Sequence, residues 1–321
     1  MTSLIAPTLA DVRAAQRRIA PYLKRTPLHR YSALDEYLGC AAYVKHENYQ
    51  PVGAFKVRGG VNLACTLSDD EKSRGLISAS TGNHGQSVAF GARLVGTKAF
   101  VVVPQGANPG KVAAIRGLGA EVIFYGEKFD DAFRHAEHLA QQQGLRFVHS
   151  ANEPHLIAGV GTATLEILEA QPQIDTLIVP VGLGSGACGA AIVAKAINPA
   201  IRVIAVQAAA APAVYESWRS GNVESRPNLT FADGLATGRA AELTLTILRE
   251  HLDDFLLVDE DEIARGMMGW IEYAHTLAES ASGAVLAAAY CLRDRLHSRN
   301  VALILSGGNA TLDHLRRALA A

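Results

Sequence analysis

The stretch ENYQPVGAFKVRGG, Glu47 to Gly60, places Lys56 between a turn-forming Pro-Val-Gly and a Gly-Gly pair, behind a run that reads as a strand. A solvated surface lysine needs no such setting. A lysine held where a helix begins, close to backbone, is partly withdrawn from water, and desolvation lowers an ammonium's pKa. The neutral amine so produced is a nucleophile and a base. Lys45, in the preceding YVKHE, is the nearest rival; it sits inside a strand pattern and lacks the glycine setting.

Outward from this stretch, short β-branched runs alternate with longer helical patterns. AAYVKHE, GLISAS, KAFVVVP, AEVIFYG, RFVHS, DTLIVPVG, IRVIAVQA and VALILSG read as strands. HGQSVAFGARLVG, GKVAAIRGLG, FDDAFRHAEHLAQQQG and CGAAIVAKAI read as helices between them. Runs that are apolar throughout suit strands covered on both faces. The alternation predicts an α/β fold with mostly parallel sheets, in which ligands sit at the C-terminal ends of the strands. No linker, repeat or low-complexity segment divides the chain, so a boundary between two domains is not a simple cut. One short helix, TLDHLRRALAA, follows the last strand.

Composition narrows the function. With 321 residues, 49% of them hydrophobic, the chain can bury a large core. A net charge of −1 gives no electrostatic argument for nucleic acid or an acidic membrane. No apolar run is long enough to span a bilayer. The N-terminal MTSLIAPTLADVRAAQRR has no basic leader before its apolar run and does not read as a signal peptide. Cys40, Cys65, Cys188 and Cys291 are widely spaced and read as buried thiols rather than disulfides or zinc ligands. His135 and His138 lie i,i+3 on a helix without a third ligand and read as a solvated face. The expectation is a cytoplasmic protein.

Three strand ends carry glycine-rich turns: TGNHGQ, Thr81 to Gln86; GLGSG, Gly182 to Gly186; and SGGN, Ser306 to Asn309. Such a turn before a helix aims backbone N–H groups at an anion, helped by the helix dipole. GLGSG suits a phosphate and STGNHG a carboxylate, although close helix–strand packing would explain either loop alone. Neither is a good match to a nucleotide site: Gln207 stands where a ribose-binding acid would, and there is no GKS or GKT.

In their order and spacing, ENYQPVGAFKVRGG, STGNHGQSVAFGARLVG, GLGSG and SGGN resemble the fold-type-II pyridoxal-phosphate enzymes, specifically the threonine/serine dehydratase and serine racemase group. FADGLATG, VDEDEI and LAESASGAVLAA extend the resemblance over nearly the whole chain. It implies a tryptophan synthase β-like fold: two open, twisted, mostly parallel sheets flanked by helices. A large cofactor-binding domain, 1–74 and 152–321, would hold an inserted small domain, 75–151.

By matching position, the resemblance makes Lys56 the lysine that bonds covalently to pyridoxal 5'-phosphate. Gly182, Leu183, Gly184, Ser185 and Gly186 would cradle the phosphate, with Leu183 and Ser185 departing from the commoner run of glycines. Asn83 would hydrogen-bond the ring hydroxyl, Ser306 and Gly307 would meet the ring's nitrogen edge, Phe55 would pack beside the ring and Gly234 would line its other edge. Ser80, Thr81, Gly82, Asn83 and His84 would receive the substrate carboxylate. Glu279 would face the site and tune protonation.

The implied reaction is β-elimination from a 3-hydroxy amino acid such as L-threonine or L-serine, giving a 2-keto acid and ammonia, with Lys56 as the general base. A neutral serine at the ring nitrogen, rather than an aspartate, fits prompt elimination. Thr81 stands where the racemases carry a serine, so serine racemase stays open. So does a 3-hydroxyaspartate or other bulky substrate, with Arg239 a possible partner for a second carboxylate. The racemases' divalent-metal site is not expected, because Gln207 and Ala213 replace its carboxylates. β-Replacement, as in cysteine synthesis, and a catalytically silent cofactor-binding protein are the rivals from other classes. The resemblance also implies a homodimer. With one short helix after the last strand, no feedback control by an amino acid is expected.

Overall fold

The computed structural model describes residues 5–321; the first four residues of the N-terminal stretch quoted above lie outside the described residues. The ten strands are β1 (Leu28–Arg30), β2 (Ala41–His46), β3 (Leu76–Ala79), β4 (Ala99–Val103), β5 (Glu121–Phe124), β6 (Arg146–Phe147), β7 (Thr176–Pro180), β8 (Arg202–Ala208), β9 (Asp254–Val258) and β10 (Asn300–Leu305). The first eight helices are α1 (Leu9–Ile19), α2 (Ser32–Leu38), α3 (Lys56–Ala64), α4 (Asp69–Arg74), α5 (Asn83–Leu94), α6 (Pro109–Gly117), α7 (Phe129–Gln143) and α8 (Pro154–Ala170). The remainder are α9 (Ser185–Ile197), α10 (Ala213–Ser220), α11 (Glu242–His251), α12 (Glu260–Ala274), α13 (Ser280–Cys291), α14 (Arg293–Leu296) and α15 (Leu312–Leu319).

The strands form a six-stranded sheet of order β1-β2-β10-β7-β8-β9 and a four-stranded sheet of order β5-β4-β3-β6. Only β1 runs antiparallel, against β2. The sequence reading had missed β1 and β9. The first is three residues long and the second is only partly buried, so neither carries a strong apolar run. RFVHS, read as a full strand, pairs only through Arg146 and Phe147 before turning into the site.

The apolar runs behave as strands covered on both faces: β2, β8 and β10 are buried at every position but the first. The chain leaves the large sheet after β2, builds the four-stranded sheet, and returns at β7. The last strand, β10, then inserts between β2 and β7 with Leu303 opposite both Val44 and Ile178.

Helix α8 lies between the two sheets' cores, with Ile157 and Leu165 in one and Leu156 in the other. On the small sheet, α7 offers Ala132, Ala136 and Ala140, one face at i,i+4 spacing, to Ile77 and Val102. α3 packs against α5 where Gly60 and Gly91 meet. A Cβ at Gly60 would lie 2.2 Å from the Ser87 carbonyl oxygen, so the two backbones touch.

Of the cysteines, Cys40 and Cys188 are buried, whereas Cys65 is half-buried and Cys291 is exposed, contrary to the expectation of four buried thiols. His135 stacks on Tyr125 at 3.7 Å, and His138 is exposed. Among the described residues no helix is long and apolar enough to cross a membrane.

Candidate active site

Lys56 is the first residue of α3. The chain reaches it by a short bridge: Ala54 pairs with Gly307, the Phe55 N–H donates to the Ser306 carbonyl at 2.9 Å, and the Gly308 N–H donates to the Gly53 carbonyl at 2.9 Å. The end of β10 thus fixes where α3 begins. The half-buried Lys56 side chain donates from Nζ to Ser185 Oγ at 2.6 Å and to the Ser150 carbonyl at 3.2 Å. Burial pulls its pKa down to about 8. Lys45 is excluded as its rival, being 1% exposed with Nζ spent on Glu166 Oε2 at 2.7 Å and the Thr26 carbonyl at 2.8 Å.

Two helices begin at the site with no side-chain cap. α9 has Gly184 at its N-cap, and α5 has Gly82. Because the first N–H groups of a helix have no partner within it, both ends offer backbone donors to an anion. The glycines before α9 have stated reasons. Gly184 has φ +97, Gly182 sits where a Cβ would be 2.4 Å from the Gly234 carbonyl oxygen, and Gly186 where a Cβ would be 3.0 Å from the Phe55 ring. Leu183 holds the loop from behind: its carbonyl accepts from Thr244 Oγ1 at 2.7 Å. A small pocket lined by Phe55, Thr164, Pro180, Gly186 and Ser306 among others lies beside the loop.

A hydrogen-bonded chain closes the other end. Asn83 Nδ2 donates to Glu279 Oε2 at 2.9 Å, and Ser306 Oγ donates to Glu279 Oε1 at 3.0 Å. Ser282 Oγ lies 3.1 Å from Ser306 Oγ, and Asn309 Nδ2 donates to Asn83 Oδ1 at 2.7 Å. Burial raises the Glu279 pKa, against the opposing bonds from Asn83 and Ser306. Gly307 leaves room for that carboxyl, since a Cβ there would lie 2.7 Å from it.

The loop into α5 runs from Ser80, whose Oγ accepts from the Gly82 N–H at 3.2 Å, through half-buried Thr81. His84 is buried with Nε2 3.1 Å from the Val148 carbonyl oxygen, so its side chain backs the loop. Burial and the nearby Lys56 lower its pKa to about 3.

The structure brings Phe55, Lys56, Asn83, Gly182, Leu183, Gly184, Ser185, Gly186, Gly234, Glu279, Ser306 and Gly307 into one constellation of contacts. Arg239 is exposed, and Gln207 is buried with Oε1 accepting from the Tyr215 N–H at 3.0 Å. Ser150, Ser282 and Asn309 join the constellation unforeseen. Asn309 was in view at the end of SGGN; a serine among the small residues of α13 and a backbone carbonyl leave no pattern in sequence.

These groups fit a phosphorylated aldehyde. The amine is half neutral near pH 8, uncapped helix donors lie next to it, and a serine–carboxyl pair lies beyond. Residues 19–307 match the family described as pyridoxal-phosphate dependent enzyme. The L-threonine ammonia-lyase of Thermotoga maritima is 39% identical over 313 residues, covering 97% of this chain and 77% of that protein. The L-threo-3-hydroxyaspartate ammonia-lyase of Saccharomyces cerevisiae is 36% identical, covering 96% and 95%. The solved structure of maize serine racemase superposes with a TM-score of 0.92 at 33% identity, covering 98% of each chain. A lysine withdrawn from water between two anion-ready helix ends therefore has its place: this chain belongs to the family of pyridoxal-phosphate dependent enzymes.

Proposed function

We propose that the chain is an ammonia-lyase that eliminates water from a 3-hydroxy amino acid such as L-threonine or L-serine, releasing a 2-keto acid and ammonia. The observation that carries this is the contact of Lys56 Nζ with Ser185 Oγ, the first residue of an uncapped helix. Bound pyridoxal phosphate supplies an electron sink for the electrons of the substrate's Cα–H bond. Lys56 Nζ, neutral in good part near pH 8, takes that Cα proton as general base.

The N–H groups at the start of α9, with Gly182, Leu183, Gly184, Ser185 and Gly186, would hold the phosphate. Phe55 and Gly234 would flank the ring, Asn83 would bond its hydroxyl, and Ser306, next to Gly307, its nitrogen. Glu279, with its pKa raised by burial, accepts from Ser306 Oγ and so orients that hydroxyl. Ser80, Thr81, Gly82, Asn83 and the His84 backbone hold the substrate carboxylate at the start of α5. Fixing the Cα–H bond in this way is worth several kcal/mol in favourable cases, of the ~7–11 that orientation can supply.

The proposal extends to two lobes, 1–74 with 152–321 and 75–151, and to a cytoplasmic homodimer. Tyr49, Ile271 and Leu277 are exposed apolar side chains that a second copy could cover, and the mass in solution tests the dimer. Half-buried Thr81 at the carboxylate loop favours a second reading, serine racemisation alongside elimination. The purified protein should show a near-visible absorbance band that borohydride abolishes, and should release keto acid from L-threonine or L-serine. Absence of both overturns the reading. 3-Hydroxyaspartate, a chiral assay for D-serine and an added thiol nucleophile separate the alternatives.

A further inference from the structure

Two residues after Lys56 stands Arg58. On a helix that interval is a rotation of about 200°, so the two side chains leave α3 on opposite sides. Lys56 reaches Ser150 and Ser185; Arg58 is 0% exposed. Its guanidinium grips two carboxylates. Nε and NH2 donate to Glu47 at 2.7 and 2.8 Å, and NH1 and NH2 donate to Glu166 at 2.7 and 2.8 Å. NH1 also reaches Thr162 Oγ1 at 3.1 Å. Lys45 completes the cluster on Glu166 Oε2 at 2.7 Å, giving two cations and two carboxylates, all at least 94% buried.

Stability alone is a poor reason for this cluster. Replacing a buried ion group by apolar side chains is often neutral or stabilising. α3 is also held by Val57 and Val61 in one apolar cluster, by Leu63 in another and by Asn62 Nδ2 on the His155 carbonyl at 2.7 Å. Its N-cap, Phe55, makes no side-chain cap bond, and where it crosses α8 and α5 its contacts are glycine: Gly59 against the Leu156 backbone, Gly60 against the Ser87 backbone. Apolar contacts are non-directional and tolerate a small rotation of a helix. A planar guanidinium held on two carboxylates does not, because its donors are fixed in a fork. Glu47 comes from the turn after β2, Glu166 from α8, and Lys45 from β2 itself, so the grip refers α3 to the large sheet.

We propose that the Arg58–Glu47–Glu166–Lys45 quartet is a positioning device that sets the direction of Lys56 from the far side of its helix. The proposal rests on Lys56 being the lysine that bonds the cofactor. Arg58 and Lys45 keep Glu47 ionised, outweighing the upward push of burial on its pKa.

The test uses holoenzyme carrying Arg58→Lys, which keeps the charge and loses the fork, and Glu47→Gln, which keeps the shape and loses the charge. Each should stay folded by circular dichroism and lose kcat on the order of 10²-fold, the scale of an ångström-sized misplacement, with KM little changed. The pH midpoint for covalent uptake of pyridoxal phosphate by the stripped protein should move from about 8. Val203→Ala, in the large sheet's core, is the control: it should lower Tm and leave kcat and the midpoint alone. Folded quartet variants that lose Tm but keep kcat and midpoint overturn the proposal. If neither variant folds, Lys45→Met decides by the same readouts, and unchanged values overturn it. Full activity in Lys56→Ala would instead sink the reading of Lys56.

Discussion

At the residue scale, the cost of function is concentrated in Lys56. Its pKa of about 8 lies below the ordinary 10.5, so the folded chain binds fewer protons than the unfolded chain between those values. Stability of the cofactor-free protein therefore rises with pH through that window. Below about pH 8 the full penalty is present, at most about 3 kcal/mol. Lys56→Met should abolish activity yet raise the Tm of the stripped protein at pH 7. The gain should shrink toward zero as pH approaches 10.5, and a Tm difference independent of pH would contradict the assignment. Lys56 was legible because its chemistry needs an unusual local setting, and glycines on both sides announce one. Glu279 was legible only through the family resemblance. Nothing in LAESASG says that its carboxyl lies between Asn83 and Ser306, 196 and 27 residues away.

At the scale of elements, the site depends on how closely α3 and α5 cross. Gly60 lies against Ser87, and a Cβ at Gly91 would come within 2.5 Å of the Gly60 carbonyl oxygen. These obstacles are backbone and cannot swing aside. Gly60→Ala and Gly91→Ala should each destabilise by about 1–3 kcal/mol, as overpacking does. They should also move α3 and lower activity in whatever fraction remains folded. Gly117, in a helix with open space where its Cβ would be, is the matched comparison, and Gly117→Ala should be neutral or slightly stabilising. Equal Tm losses at the three positions would refute the close-crossing account. Gly60 and Gly91 stand in stretches read as the setting of Lys56 and as a helix. That they face each other across a crossing was not visible in sequence, because packing partners are chosen by tertiary fold and leave no periodic mark.

At the scale of the whole molecule, the alternation of apolar runs and helical patterns was enough for the α/β class and the parallel sheets. It could not say that β10 inserts between β2 and β7, since strand order follows from which faces the helices cover. An ion pair joins α6 to the loop beside Gly234. Lys111 on α6 bonds Asp233, whose Oδ2 is also 3.4 Å from His314 Nε2 on α15. Asp233 is 53% exposed, so the pair belongs with solvent-screened contacts worth about 0–1 kcal/mol. If the pair helps hold α6 beside the Gly234 loop, Lys111→Met should raise KM by no more than about fivefold and leave kcat unchanged. The difference should fade near 1 M salt, where screening acts within about 3 Å. Charge reversal by Asp233→Lys should have a larger effect, and the swapped pair Lys111→Asp with Asp233→Lys should recover part of it. Equal KM in wild type and Lys111→Met at low salt would show that substrate binding does not depend on this contact.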